Sequence, residues 1–269
     1  MIRFRPRLAP TLFTIPMLLV CVALGVWQLQ RLEWKSGLIA QREAAIAASP
    51  ARPPQTLAEA RAMEFHPVVD DGVFLNGNEI FVGATGPKGG IGFHVLTPLR
   101  EPDGRIVFVN RGFIPSERKA PATRSAAQFV GMVHITGLLR LPPEGKPNWF
   151  LPDNRADLNY WFWIDLPTMA AADQLALADV APFYIDADAT PNPGGWPQGG
   201  VTPLSLPNDH LQYAITWFLL AAALVVIYVV YHWPGRDTAL RRTPISKRGF
   251  AASARSRRRS RSCIGMPRR

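Results

Sequence analysis

Two long stretches without a charged residue constrain this chain more than anything else in it. One covers the 21 residues from Leu211 to Tyr231, and the other runs from Leu8 to Leu29. At about 1.5 Å of helical rise per residue the first covers ~31 Å, the thickness of a bilayer hydrocarbon core. Trp217 near one end of it, and Tyr228, Tyr231 and Trp233 near the other, are amphipathic rings of the kind that sit at headgroup level. Both runs are therefore expected to span a membrane. The N-terminal run is expected to stay on the mature chain, because a secretory signal has a shorter apolar region followed by a small-x-small cleavage site. This run is longer and ends in Trp27, Gln28 and Leu29. Val20 before Cys21 also argues against a lipoprotein site.

The charge of +10 is unevenly spread. Residues 1–35 carry +4, residues 36–209 carry −5, and residues 210–269 carry +11. The central segment is acidic, so nucleic acid is not an expected partner. The basic surplus sits in an Arg/Ser-rich tail without a hydrophobic pattern, expected to be disordered against anionic lipid. The 20 residues before His210 hold no Lys or Arg, and the segment after it holds 12, which places the C-terminus in the cytoplasm. Two spans then put the N-terminus there as well. The expected layout is a cytoplasmic N-terminus (1–11), a first span (12–31), an extracytoplasmic domain (32–209), a second span (210–232) and a cytoplasmic tail (233–269). In a bacterium this is a two-pass inner-membrane protein with a periplasmic domain. The two cysteines, Cys21 and Cys263, lie outside that domain, so neither a disulfide framework nor a thiolate zinc site is available to it.

After the first span a helix can continue from Glu33 to Ala48, until Pro50, Pro53 and Pro54 stop it. Thr56 and Glu59 have capping-box spacing for a short helix, Thr56 to Met63. Short β-like runs follow at Val68–Leu75, Glu79–Ala84, Gly92–Leu99, Arg105–Arg111 and Val130–Leu139, with Asn76-Gly77 and Pro102-Asp103-Gly104 as turn signals. Pro167–Val180 reads as one helix, Phe183–Asp186 as a last strand, and Thr190–Pro207 as a Pro/Gly-rich linker back to the membrane. The expected fold is an α+β membrane protein, two transmembrane helices flanking an antiparallel β-rich domain (a sheet or open barrel with one or two short helices).

There is no hydrolase elbow, P-loop or CxxC. The Gly83–Gly92 segment reads as a hairpin loop, and the pairs Asp70-Asp71 and Asp186-Asp188 as solvated faces. His66, His94, His134 and His232 read as surface or locally bonded residues. His210 differs, because it stands just outside the second apolar run, where neutral imidazole can ligate iron or copper. A helix-entry histidine bonded to Asn208 or Asp209 is the plainer reading. With both termini inside, Trp27, Gln28, Arg31, Trp34 and Lys35 at the end of the first span meet His210, Tyr213 and Trp217 at the start of the second. Trp27, Arg31 and Trp34 share one helix face. Such a set suits an amphiphilic macrocycle with anionic propionates, Arg31 and Lys35 serving as charge partners. An interfacial aromatic belt with snorkelling cations accounts for the same residues.

Four blocks carry a resemblance: Leu24-Gly-Val-Trp-Gln-Leu-Gln-Arg-Leu-Glu-Trp-Lys35, Val109-Asn-Arg-Gly-Phe-Ile-Pro115, Trp161-Phe-Trp-Ile-Asp-Leu-Pro-Thr-Met169 and Asn208-Asp-His-Leu-Gln-Tyr-Ala-Ile-Thr-Trp-Phe218. Together with the two-span layout they resemble the surfeit locus protein 1 (Surf/Shy) family of cytochrome c oxidase assembly factors, from about Leu12 to Trp233. The resemblance implies a non-enzymatic role in delivering haem a to the catalytic subunit of a haem-copper oxidase, with transiently bound haem a ligated by His210. It also implies the oxidase subunit as partner, with the haem a synthesis enzyme as a second one. A cofactor-free chaperone for an oxidase subunit is the alternative. The layout predicts that alkaline phosphatase fused after Ala120 is active and fused after Arg242 is inactive; activity at Arg242 would overturn it.

Overall fold

A computed structural model describes residues 6–86, 89–203 and 206–233. The basic tail of 234–269 lies outside the described residues. The chain divides into two units, Met1–Gly25 with Thr216–Arg269, and Val26–Ile215.

Helix α1 runs from Leu8 to Ile46, through Pro16, so the first apolar run and the Glu33–Ala48 segment form one helix. Helix α4 runs from His210 to His232. In the first unit the two helices pack antiparallel: the Thr11 and Tyr228 hydroxyls are 2.6 Å apart, and Arg7 Nη1 donates to Tyr231 Oη at 3.1 Å. Small residues let them approach, since an added Cβ on Gly25 would stand 2.7 Å from the Phe218 ring. The core helix of a soluble protein would be mostly buried, yet only 11% of each apolar window is. Phe13, Leu19, Leu219 and Ile227 face outward. Apolar helices exposed to this degree call for a lipid solvent.

In the second unit, β1 (Pro67–Phe74), β2 (Ile80–Thr85), β3 (Ile91–Arg100), β4 (Ile106–Pro115), β5 (Met132–Arg140) and β6 (Val180–Ala187) form one sheet in the order β1-β5-β6-β4-β3-β2. A further antiparallel pairing of β1 with β3, at Val73–Arg100 and Phe74–Leu99, closes five of these strands into a ring, with β2 extending from β3. All pairs are antiparallel except β4 with β6. Gly72 and Gly137 sit where strands cross: a Cβ on Gly72 would meet the Arg100 oxygen at 2.6 Å, and one on Gly137 would overlap the Asp186 oxygen.

Strand alternation sends β4 into two cores. Val107 and Val109 join Val68, Leu99, Phe183 and Ile185 in one. Phe108 joins Ile80, Leu96, Trp161 and Met169 in the other, under helix α3 (Leu166–Ala172). Trp161 is 1% exposed, and its backbone bonds to Phe81 and Gly83 at 3.0 and 2.7 Å. Truncating such a side chain to Ala costs on the order of 3–5 kcal/mol. Helix α2 (Leu57–Ala62) has the expected box, with Glu59 N donating to Thr56 Oγ1 and Glu59 Oε2 accepting from Thr56 N.

Four sequence expectations need correction. The helix over Pro167–Val180 stops at Ala172: Gln174 takes φ +57° and Leu175 N bonds back to Ala170 O, because the chain must extend into β6 by Val180. The Asn76-Gly77 turn forms, yet it joins no hairpin. Asn76 Nδ2 donates to Phe129 O, and β1 leaves to pair with β5. Of the Thr190–Pro207 segment, the part up to Gly200 is docked, with Phe113 and Gln198 exchanging backbone bonds of 2.8 and 2.9 Å and Gly200 N bonding Ala187 O. Finally, the acid pairs do not lie wholly on solvated faces. Asp186 is 4% exposed and bonds Asn110, Arg140 and Thr202, and Asp70 is 3% exposed.

Asp70 Oδ1 accepts from the Asp71 amide, while Oδ2 finds no donor. Its neighbour Glu101 is also an acid, held by Arg105 at 2.7 Å through both Nε and Nη2. Burial first, then the hydrogen bond and charge of Glu101, push the Asp70 carboxyl up to about 7. Asp70 in the folded protein thus holds its proton up to about pH 7, whereas its ordinary value is 3.8. Across that window the folded state binds more protons than the unfolded, so stability falls as pH rises, and the full cost is present above about pH 7. Asp70→Asn should flatten this slope, raising Tm at pH 8 relative to the unchanged chain and raising it less at pH 5, where only part of the cost has accrued. Thermal unfolding at both pH values checks it; an equal change at both would count against it.

Candidate functional site

Within the second unit, the later part of α1 and the entry to α4 lie side by side. Asn208 Nδ2 donates to Ser36 Oγ at 3.2 Å. One turn along, His210 Nδ1 and Gln28 Oε1 are 2.7 Å apart. A carboxamide oxygen can only accept, so Nδ1 is the donor here, and in the neutral imidazole that leaves the lone pair on Nε2. This is the arrangement metal-ligating histidines adopt, one ring nitrogen tied to a carbonyl and the other free to bind. The plainer partners for His210, Asn208 and Asp209, are not the ones it uses: its bond crosses to the other helix.

The Arg31 guanidinium lies over the Trp34 ring, 4.2 Å from its centroid. Arg31 and Lys35 are half-buried, and among the described residues neither is paired with a carboxylate. Trp27 and Tyr213 are half-exposed, at 49% and 57%, and among the described residues neither bonds to His210. Trp217 is half-buried on α4 in the other unit. Asn208 Oδ1 is buried without a donor, an acceptor in reserve beside the imidazole. Among the described residues no three His, Cys, Asp or Glu side chains gather.

The sequence places Gln28 at the outer face it shares with His210 without pairing the two, although a signal was there. A carboxamide one turn inside an otherwise apolar helix is costly in lipid unless another helix answers it, and His210 is that answer. The other histidines are local: His134 Nδ1 is 2.7 Å from Asp71 Oδ1, and burial holds His94 below the usual imidazole range. The family-like Val109–Pro115 block is structural at Asn110 and Gly112. Asn110 donates to Asp186 at 2.8 Å, and Gly112, at φ +114°, has no room for a Cβ against the Gln198 oxygen.

The fold and site define a two-helix protein carrying a closed β-barrel, with one oriented imidazole where its apolar helices begin. The SURF1 family profile matches residues 16–222. A SURF1-like protein of Monosiga brevicollis is 36% identical over 88% of this chain and 92% of its own length. Surfeit locus protein 1 of Mus musculus is 36% identical over 82% of this chain and 73% of its own, and that of Homo sapiens 35% over 74% and 70%. The chain belongs to the SURF1 family.

Gln28→Leu removes the acceptor without changing length. Nitrogen-15 spectra of His210 should then show loss of the single Nδ1–H tautomer in favour of a mixture, and an unchanged tautomer would mean that Gln28 does not orient the ring.

Proposed function

We propose that this chain is an assembly factor for cytochrome c oxidase that holds haem a for insertion into the catalytic subunit, with His210 Nε2 as axial ligand. Membership of the SURF1 family supports the oxidase, and the cross-helix bond from His210 Nδ1 to Gln28 is the observation that carries the haem reading. Arg31 and Lys35 supply positive charge for propionates, and Trp27, Trp34, Tyr213 and Trp217 offer aromatic surface. When bound, the haem supplies the iron; the chain ties His210 Nδ1 to Gln28, presents Nε2 to the metal, and balances charge. In this reading the barrel faces the periplasm of a bacterium, the catalytic oxidase subunit receives the cofactor, and the haem a synthesis enzyme supplies it.

The test is purification in mild detergent from haem a-producing cells, followed by an absorption spectrum. His210→Ala should lower bound haem at least tenfold, about 1.4 kcal/mol or more, because neighbouring oxygen donors match iron poorly. Arg31→Ala should cost roughly 1 kcal/mol, a severalfold loss, since water can replace one interfacial ion pair. An unchanged haem spectrum for His210→Ala at equal protein abundance would sink the ligand assignment, and no bound haem in the unchanged chain would leave a cofactor-free chaperone.

A further inference from the structure

A second site lies in the barrel itself. Two buried guanidinium groups, Arg111 and Arg124, share a single acid, Glu79. Arg124 takes both carboxylate oxygens, and Gln128 Nε2 donates to one of them at 3.1 Å. Arg111 Nη1 is left 3.7 Å from Glu79 Oε1, too far for a hydrogen bond, and has no hydrogen-bond partner among the described residues, while Nη2 is spent on Ala127 O. Arg111 is 2% exposed, so one positive charge is buried in excess. Burial first, with the Arg124 charge added and Glu79 opposing, pushes its pKa down to about 10, and it stays cationic at neutral pH.

Arg111 lines a cavity of about 520 Å³, inside the range of about 300–1,000 Å³ usual for small-molecule sites. Phe74 and Phe129, also in its wall, stand 4.8 and 5.4 Å from the guanidinium, and Val109, Val133 and Ile135 add apolar surface. The other charged or titratable groups there are engaged: Asp188 Oδ1 accepts from Thr190 N at 2.9 Å, and His134 is bonded to Asp71. A purely structural arginine would have its donors answered by the protein.

From this unanswered donor and its aromatic walls we infer that the barrel cavity binds a small monocarboxylate with an apolar body, its carboxylate against Arg111 and its body between Phe74, Phe129 and Val133. The carboxylate supplies the counter-charge that Glu79 cannot give to two arginines at once. Asp188 in the same wall turns away a second negative charge, so diacids are excluded. An alkyl acid derived from lipid and a soluble aryl acid share this chemistry. The site is independent of His210 and of any haem.

Isothermal titration of the full chain in nanodiscs uses hexanoate and 3-phenylpropanoate, each against its neutral alcohol, 1-hexanol or 3-phenylpropanol. At least one acid should bind saturably and at least tenfold more tightly than its alcohol; the tighter acid names the source. Arg111→Met should abolish the preference for acid over alcohol, and Val133→Phe should block both by filling the cavity. No saturable binding, or equal affinity for acid and alcohol in the unchanged chain, overturns the proposal even if the variants do not fold. Retained acid binding in a folded Val133→Phe chain overturns it as well.

Discussion

Two backbone hydrogen bonds between Phe113 and Gln198 hold down the return path of the chain, and the candidate haem site depends on them. They form because Gly112 lies in the left-handed region with no side chain, so that the Gln198 carbonyl can come against its Cα. The outward path is pinned as well, since Ala51 exchanges bonds with Pro67 and Val69 at the edge of β1. Both connections are thus fixed on the barrel before the chain reaches its helical ends. Only a short tether separates Gly200, bonded to Ala187, from His210, bonded to Gln28. Rigid elements, not a free linker, set the position of the imidazole.

The barrel holds several of its charges inside. Glu79, Arg111, Arg124 and Asp186 are each under 5% exposed or close to it, and Asp70 with Glu101 forms a second buried acid centre. Ion pairs of this kind rarely add net stability, because desolvation offsets the attraction, while removing one partner is costly. They specify instead. Glu79 ties β2 to the loop carrying Arg124, and Asp186 ties β6 to Asn110 on β4 and to Thr202. The surplus guanidinium of Arg111 is the one charge in this arrangement that the protein does not answer.

Much of this was legible in the sequence, and unevenly. The two apolar helices, the Thr56–Glu59 box and each of the six strands follow from local pattern, because hydrophobic period and capping chemistry act within a few residues. Pairing did not follow. Nothing local says that β1 skips β2 to join β5 and β3, or that β4 and β6 run parallel, since those choices are made by the closure of the ring. The helix read over Pro167–Val180 failed for the same reason, tertiary demand on β6 overriding an Ala-rich helical pattern. At the candidate site, His210 and Gln28 were both placed on the outer face by position, but their pairing was not legible, because the two lie 182 residues apart. Asp70 and Asp186 were misplaced because a lone acid on a strand carries no mark of the guanidinium or amide that will bury it.

The loop between β4 and β5 carries one further consequence. Arg118 is exposed, whereas Arg124, six residues on, is 4% exposed and clasped by Glu79. A protease that cuts after arginine must draw its target into an extended conformation, which Arg118 can offer far more readily than Arg124. Cleavage in this loop therefore reports on the Glu79 clasp: the native barrel yields at Arg118 and resists at Arg124, and access to Arg124 marks a barrel that has opened.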